Sequence, residues 1–340
     1  MHNISTKTWP ILILLIVLLF FGNISLGSVH IPANAVWAIL TGGKVEHEAW
    51  RYILLEFRIP KALTAIFVGM GLSVSGLQMQ TLFRNPLAGP FVLGISSGAS
   101  LGVALLVMAG GLLAYSGSLG SWMQVTAATL GASLVLFLVL GVSAKVKDSM
   151  ALLIVGLMLG SATGALVSVL QFFSNKEQLQ EYLIWTFGNL GGQTWVELGI
   201  FIPLVFFGLL LSFVLTKPLN ALLLGEQYAQ SMGLHIGRSR FWIIVSTSIL
   251  AGCITAFCGP IAFVGIAVPH IARLMFNTSD HRVLVPAVSL TGALLMLFCD
   301  LLAQLPSAHY TLPINIITSL LGAPVVIWVI LRGKNISNSF

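Results

Sequence analysis

Long, nearly charge-free apolar runs recur along almost the whole chain, and they decide what it can fold into. A helix needs about twenty mostly apolar residues to cross the hydrocarbon core of a bilayer, and roughly ten segments meet that requirement. The clearest are Pro10–Gly27, Ala62–Leu82, Val92–Ala114, Val125–Val142, Ala151–Phe173, Val196–Leu215 and Phe241–Cys258. Ile261–Met275, which is short and broken by Pro269, then Leu284–Leu305 and Pro313–Leu331 complete the series. In lipid every backbone polar group must be satisfied within the protein. Continuous apolar runs achieve this as helices, whereas barrel strands alternate in polarity. The expected fold is an all-α polytopic membrane protein forming one transmembrane domain over residues 1–340.

Composition excludes a soluble alternative: 57% of residues are hydrophobic and 8% charged, where a soluble domain carries about a quarter charged residues. The net charge of +6 does not point to nucleic acid, because Lys and Arg sit singly between apolar segments and form no basic stripe. They read instead as topology. An even number of spans places both termini on one side. With that side cytoplasmic, Lys7, Arg84, Lys145, Lys147, Lys217, Arg238, Arg240, Arg273, Arg282, Arg332 and Lys334 lie inside, against Lys44, Arg51, Arg58, Lys61 and Lys176 outside. This is the positive-inside bias of an inner-membrane protein. The run Ile11 to Phe21 followed by Ser25-Leu26-Gly27 also fits a cleaved signal peptide, but the even count needs an uncut first helix.

Two outward segments stand out. The first, about Ser28–Pro60, carries Trp37, Trp50 and Tyr52 and suits the membrane interface; the second is about Ser174–Thr194. A weak echo links Asn85-Pro86-Leu87-Ala88-Gly89-Pro90-Phe91-Val92-Leu93-Gly94 to Gly259-Pro260-Ile261-Ala262-Phe263-Val264-Gly265. An inverted repeat would place these stretches on opposite sides, although Gly and Pro at helix ends would give the same echo.

The stretch Arg58 to Gly102 is too polar and glycine-rich for a simple anchor. Gly69, Ser73, Gly76 and Gln80 share overlapping helical faces, suited either to close helix packing or, with Gln78, to a polar pathway. Gly156, Gly160, Gly164 and Ser168 recur every fourth residue and are expected to form one flat stripe, for packing or for lining a pathway. Asn85, Ser96 and Gly98 join these pathway-or-packing candidates. The segment from Lys217 to about residue 239 reads as short amphipathic helices, started by Pro218 and turned at Gly225 and Gly233. There Ala229 and Met232 are expected to leave an apolar knob exposed to water, which calls for a protein partner.

No motif for chemistry is complete. Gly43-Lys44 precedes Val45 and Gly333-Lys334 precedes Asn335, so neither forms a phosphate loop. Cys253, Cys258 and Cys299 lie in apolar runs without metal-ligand spacing. His30, His47 and His309 are isolated, and His270 follows Pro269, where a structural hydrogen bond is the default. Asp300 is the one clearly intramembrane acid, read as a partner for a polar neighbour.

Arg58-Ile59-Pro60-Lys61, Ser75-Gly76 with Gln80, Arg84-Asn85-Pro86-Leu87-Ala88 with Pro90, Leu93-Gly94 with Ser96 and Gly98-Ala99 form an ordered set. Gly259-Pro260-Ile261-Ala262-Phe263-Val264-Gly265, Pro269-His270-Ile271-Ala272-Arg273, Asp280-His281-Arg282 and Leu321-Gly322-Ala323-Pro324 with Trp328 extend it. In these the chain resembles the FecCD/BtuC-like permease family of ABC importers for iron-siderophores, haem and cobalamin. The resemblance implies ten helices and a non-catalytic subunit that pairs with a second permease subunit. It implies two partner ATPase subunits that hold ATP and Mg, a periplasmic or lipid-anchored binding protein, and no cofactor or metal in this chain. Leu224, Gly225, Glu226, Ala229, Met232 and Gly233 then correspond to ATPase-coupling helices. Arg58 and Lys61 correspond to basic docking residues for the binding protein, with Lys61 where Arg is usual and Gln304 where a basic residue is common. An ion-coupled secondary transporter is the rival class, but it would need more intramembrane acids than Asp300.

Overall fold

The computed structural model describes residues 3–27, 29, 31–109, 120–146, 148–304 and 311–332. His30, Lys147, His309 and the Gly333-Lys334 pair lie outside that range. Every regular element among the described residues is helical. Seven helices are long and apolar enough to cross a membrane, and Ile95–Met108, Val264–Phe276 and Ile314–Trp328 are shorter apolar stretches. These account for the ten segments expected from the sequence.

The chain opens with α1 (Asn3–Ser25), followed by short helices α2 (Ala33–Leu40) and α3 (Glu48–Tyr52). A π-helical turn, Ile53–Arg58, runs without a break into α4 (Ile59–Leu82). Pro60 explains the widened turn, since its ring has no N–H and crowds the carbonyl one turn earlier. A 3₁₀ turn, Pro90–Leu93, precedes α5 (Ile95–Ala109), and α6 (Ser121–Ser143) and α7 (Ser149–Phe173) follow. Asp148 caps α7 by accepting from the Met150 and Ala151 N–H groups. Next come α8 (Lys176–Thr186) and α9 (Trp195–Val214), both opened by capping boxes, at Asn175/Gln178 and Thr194/Glu197. The short pair α10 (Thr216–Leu223) and α11 (Glu226–Ser231) leads to α12 (Ile236–Cys258), α13 (Val264–Phe276), α14 (His281–Gln304) and α15 (Ile314–Arg332).

Helix α4 is the axis of the bundle: the span containing it is 78% buried, against 17% for α1. Apolar attraction cannot hold helices together in lipid, so close backbone contact must do so. A Cβ added at Gly69 would run into the Gly292 carbonyl of α14, and one at Gly76 into the Gly265 carbonyl of α13. Polar links reinforce the seams. Gln78 donates through Nε2 to the hydroxyls of Ser212 (3.1 Å) and Ser246 (3.0 Å), and accepts at Oε1 from Thr247 (2.9 Å), tying α4 to α9 and α12.

Trp9 packs at a tilt against Phe276 with ring centroids 4.7 Å apart, which puts the start of α1 at the end of the bundle where α13 gives way to α14. That end also carries α10 and α11. At the opposite end Asn189 N–H donates to the Cys258 carbonyl (2.8 Å) and Asn315 N–H to the Phe187 carbonyl (3.3 Å). Helix α15 starts there and runs back. The two echoed Gly/Pro stretches therefore enter from opposite ends, and they meet: a Cβ on Gly265 would lie 2.6 Å from Pro90 Cδ, and one on Gly89 3.0 Å from Ile266. Each leads into a short helix, α5 or α13, as an inverted pair of discontinuous spans would.

Candidate functional site

The segment joining α9 to α12 forms a projecting edge at one end of the bundle. Pro218 lies in the first turn of α10, whose Leu219 and Leu222 are buried. Gly225 has φ +100° and Gly233 φ +86°, a region that side-chain-bearing residues rarely occupy, so these glycines set the corners on either side of α11. Leu224, Tyr228 and Met232 are 60%, 57% and 57% exposed, whereas Ala229 is 0% exposed. This corrects the sequence expectation. Ala229 is the small residue that lets α11 lie flat on the bundle, and the outward apolar edge is formed by Leu224, Tyr228 and Met232.

Two hydrogen-bonded joints fasten this edge to the spans. In the first, the Arg240 guanidinium (α12, 3% exposed) pairs with Glu226 Oε1 at 3.0 Å. It also donates to Ser149 Oγ (3.2 Å) and to the Val146 carbonyl (2.8 Å). Ser149 donates in turn to Glu226 Oε1. Helix α11 is thus bound to the starts of both α7 and α12. In the second, Asn220 of α10 accepts at Oδ1 from the His281 N–H (2.8 Å), with the His281 ring Nδ1 at 2.7 Å. Its Nδ2 donates to Asp280 Oδ1 (2.6 Å), while His281 Nε2 lies 2.8 Å from Thr81 Oγ1 at the end of α4. The Arg282 N–H, then the Asn220 amide and the Arg282 charge, hold the Asp280 carboxyl below its ordinary range despite some desolvation. A lowered folded-state value means that this contribution is present above the ordinary carboxylate range and is lost only as pH falls through the lower value. A cavity of about 850 Å³ opens beside the first joint, lined by Phe83, Arg84, Ser149, Glu226 and Tyr228 among others. Sequence reading passed over Asn220, His281 and Ser149 as site residues and took Arg240 for a topology charge.

At the other end, the two expected docking cations have internal partners. Arg58 is 8% exposed and donates to the carbonyls of Ile24 (2.9 Å), Ser25 (2.9 Å) and Val29, so it caps the C-terminus of α1. Lys61 Nζ lies 2.8 Å from Asp300 Oδ1, with side-chain exposures of 23% and 3%. Gln304 Nε2 donates to Asp300 Oδ2 (3.1 Å) and Asn23 Oδ1 (3.2 Å). Asp300 has the polar partner that the sequence called for. Removing one member of such a pair strands the other charge, at a cost on the order of 3 kcal/mol that partial exposure of Lys61 reduces. Lys61→Met is therefore expected to lower the thermal midpoint in detergent more than Lys61→Met combined with Asp300→Leu does. An equal or larger drop in the double variant would show the pair to be dispensable.

The comparisons fit this geometry. The FecCD transport family matches residues 14–332. The chain belongs to that family. The hemin transport system permease protein HmuU of Yersinia pestis is 34% identical over 324 residues, 95% of each chain. The vitamin B12 import system permease protein BtuC of Klebsiella pneumoniae is 38% identical over 281 residues, 82% of each chain. A solved structure described as an inward-facing metal-chelate type ABC transporter superposes with a TM-score of 0.83 at 29% identity, covering 97% of this chain and 99% of that one. The chain is thus a membrane permease of the ABC importer class that serves metal chelates, haem and vitamin B12.

Within this FecCD permease most of the pathway-or-packing candidates are engaged in packing. Gln80 bridges α4 to α13, donating to the Ile266 carbonyl (3.1 Å) and accepting from Arg273 (2.8 Å). Ser96 and Thr255 share a hydroxyl hydrogen bond of 3.0 Å, and Gly98 lies against Gly131 of α6. Asn85 closes an Asx turn onto the Leu87 N–H (2.9 Å). His270 Nε2 lies 2.8 Å from the Pro86 carbonyl oxygen, the structural role expected of it. The stripe on α7 is not flat. Gly156 is buried against Val92 and Leu93, Gly160 is half-buried, and Gly164 and Ser168 are exposed. A step of four residues overshoots a full turn by about 40°, so the four positions fan through about 120° and leave the interior.

Proposed function

We propose that this permease carries a metal chelate, with ferric siderophore first and cobalamin and haem as alternatives, across the bacterial inner membrane, powered by two partner ATPase subunits. The observation that carries the reading is the apolar edge Leu224–Tyr228–Met232 held on two hydrogen-bonded joints. An exposed apolar edge favours a protein partner. Joints reaching α7, α12, α14 and α4 supply a rigid route by which that partner moves the spans. The chain works here as a pair of identical subunits, with ATP and Mg bound on the ATPases and a binding protein over the opposite end. The start of α1 and the end of α15 share the end that bears α10 and α11, and the Lys and Arg bias favours the cytoplasm for it. The exposed outer part of α7, with Gly164 and Ser168, is offered to the second copy or to the pathway. Asp300 is committed to Lys61 and Gln304, which weakens an ion-coupled alternative.

ATP-driven uptake into proteoliposomes holding the assembled complex and its binding protein tests the reading. Uptake of a radiolabelled ferric hydroxamate exceeding that of hemin and cyanocobalamin supports the proposed order. Uptake of cobalamin alone would overturn it, and uptake without ATP would remove the importer reading itself.

A further inference from the structure

A second cavity at the α10–α11 end, a groove of about 820 Å³, opens between the turn that follows α6 and the start of α12. Ser143, Val146, His235, Gly237 and Arg238 are among its lining residues. The Arg240–Glu226 pair forms part of the wall, with its opposite charges 3.0 Å apart. Two further cations belong to the groove. Arg238 lines it, and Lys145 stands between the lining residues Ala144 and Val146. Both are exposed, and no described acid lies within salt-bridge range of either. Asp148, close by in sequence, has both carboxylate oxygens on the first N–H groups of α7. The rim therefore carries uncompensated positive charge. Along the same two helices the surface beyond the rim is apolar. Leu134, Phe137 and Leu138 of α6 and Phe241 and Trp242 of α12 are between 41% and 70% exposed. Phe241 and Trp242 follow Arg238 by three and four residues, so they lie one turn along on its face of α12. Tryptophan next to a cation is the pattern of a span at headgroup level.

We propose that this groove holds the headgroup of an anionic phospholipid, with its phosphate at Arg238 and Lys145 and its acyl chains on the exposed faces of α6 and α12. A phosphate diester accepts from guanidinium and ammonium donors alike. Basic pockets between spanning helices at headgroup level select anionic lipids in this way. A zwitterionic lipid brings its own ammonium to the same cations and is disfavoured. The apolar surface continuous with the rim selects a lipid over free phosphate, which has no chains to place there. A lipid seated in the groove bridges the turn between α6 and α7 to the start of α12, beside the Arg240 joint. The inference goes beyond the importer reading and holds whatever the cargo is.

The test equilibrates the full-length permease in detergent with equal amounts of phosphatidylglycerol and phosphatidylethanolamine and counts bound lipid by native mass spectrometry. The native chain is expected to retain phosphatidylglycerol in preference. Arg238→Gln and Lys145→Gln should each lower that preference about fivefold, and the double variant should abolish it. Both side chains are exposed, so the variants fold as the native chain does. Lys217→Gln, which removes an exposed cation from the same end but outside the groove, should leave the preference unchanged. An equal loss in Lys217→Gln would show a diffuse charge effect and overturn the site. Equal retention of the two lipids by the native chain, or a preference that survives the double variant, would overturn it as well. Phosphatidylglycerol that millimolar inorganic phosphate displaces as readily as it displaces none from Lys217→Gln controls would replace the lipid by a free phosphate, whereas retention in its presence supports the lipid.

Discussion

Arg240→Met is expected to leave the partner ATPase hydrolysing ATP while cutting substrate uptake at least about tenfold, a shift of roughly 1.4 kcal/mol or more in effective coupling. Arg240 is the centre of the joint that binds α11 to α7 and α12. Methionine fills much of the same volume but offers no donor, so the Glu226 carboxylate and the Val146 carbonyl each lose a partner. Stranding part of a buried pair costs on the order of 3 kcal/mol, discounted because the Glu226 side chain is 31% exposed. That cost falls on the connection between α11 and the spans, not on the outward edge that meets the ATPase. Arg240→Lys keeps the charge but lacks the planar fork needed to reach Glu226, Ser149 and Val146 together, and should lie between the two. The check is the ratio of ATP hydrolysed to substrate imported in proteoliposomes. An unchanged ratio in Arg240→Met would show that the joint transmits nothing.

Gly76→Val should prevent accumulation of folded protein altogether. A Cβ there would overlap the Gly265 carbonyl, and Gly265 has no room to retreat because Pro90 and the Leu72 carbonyl close its own Cβ position at 2.6 and 2.8 Å. Backbone on both sides cannot repack as a flexible side chain can, so the cost should exceed about 3 kcal/mol. Gly164→Ala serves as the control: nothing lies within 4 Å of its added Cβ, and a change within about 0.5 kcal/mol is expected. Size-exclusion profiles and thermal midpoints in detergent separate the two. Native-like behaviour of Gly76→Val would mean that α4 and α13 are not in contact as described.

The spans were legible in the sequence because a single physical quantity, the length of uncharged apolar run needed to cross lipid, defines them. Residues 261–275 illustrate the limit: the stretch reads as a short broken span, and in the structure Gly259 to Phe263 is non-helical, with α13 beginning only at Val264. The coupling segment was legible through Pro218, Gly225 and Gly233, whose backbone preferences are intrinsic to the residues. Which face of α11 points outward was not, since six residues make less than two turns and Ala229 is equally at home on either side. The joints were hidden for a different reason. Asn220 and His281 are 61 residues apart, and Arg240 and Ser149 91 apart, so no local pattern announces them. Lys61 and Asp300 were each noticed, but pairing them required the packing of α4 against α14.

The most direct test of the central account, that α10 and α11 present the docking edge for an ATPase, is copurification of the permease with its ATPase, comparing the native chain with Met232→Arg. Met232 is exposed, so arginine there alters the contact surface. At buried Ala229 the same change would test folding instead. The account predicts a stable native complex and its loss in Met232→Arg, with the mutant permease still monodisperse in detergent. An ATPase retained equally by Met232→Arg and by Leu224→Arg, or absent from the native preparation, would contradict it.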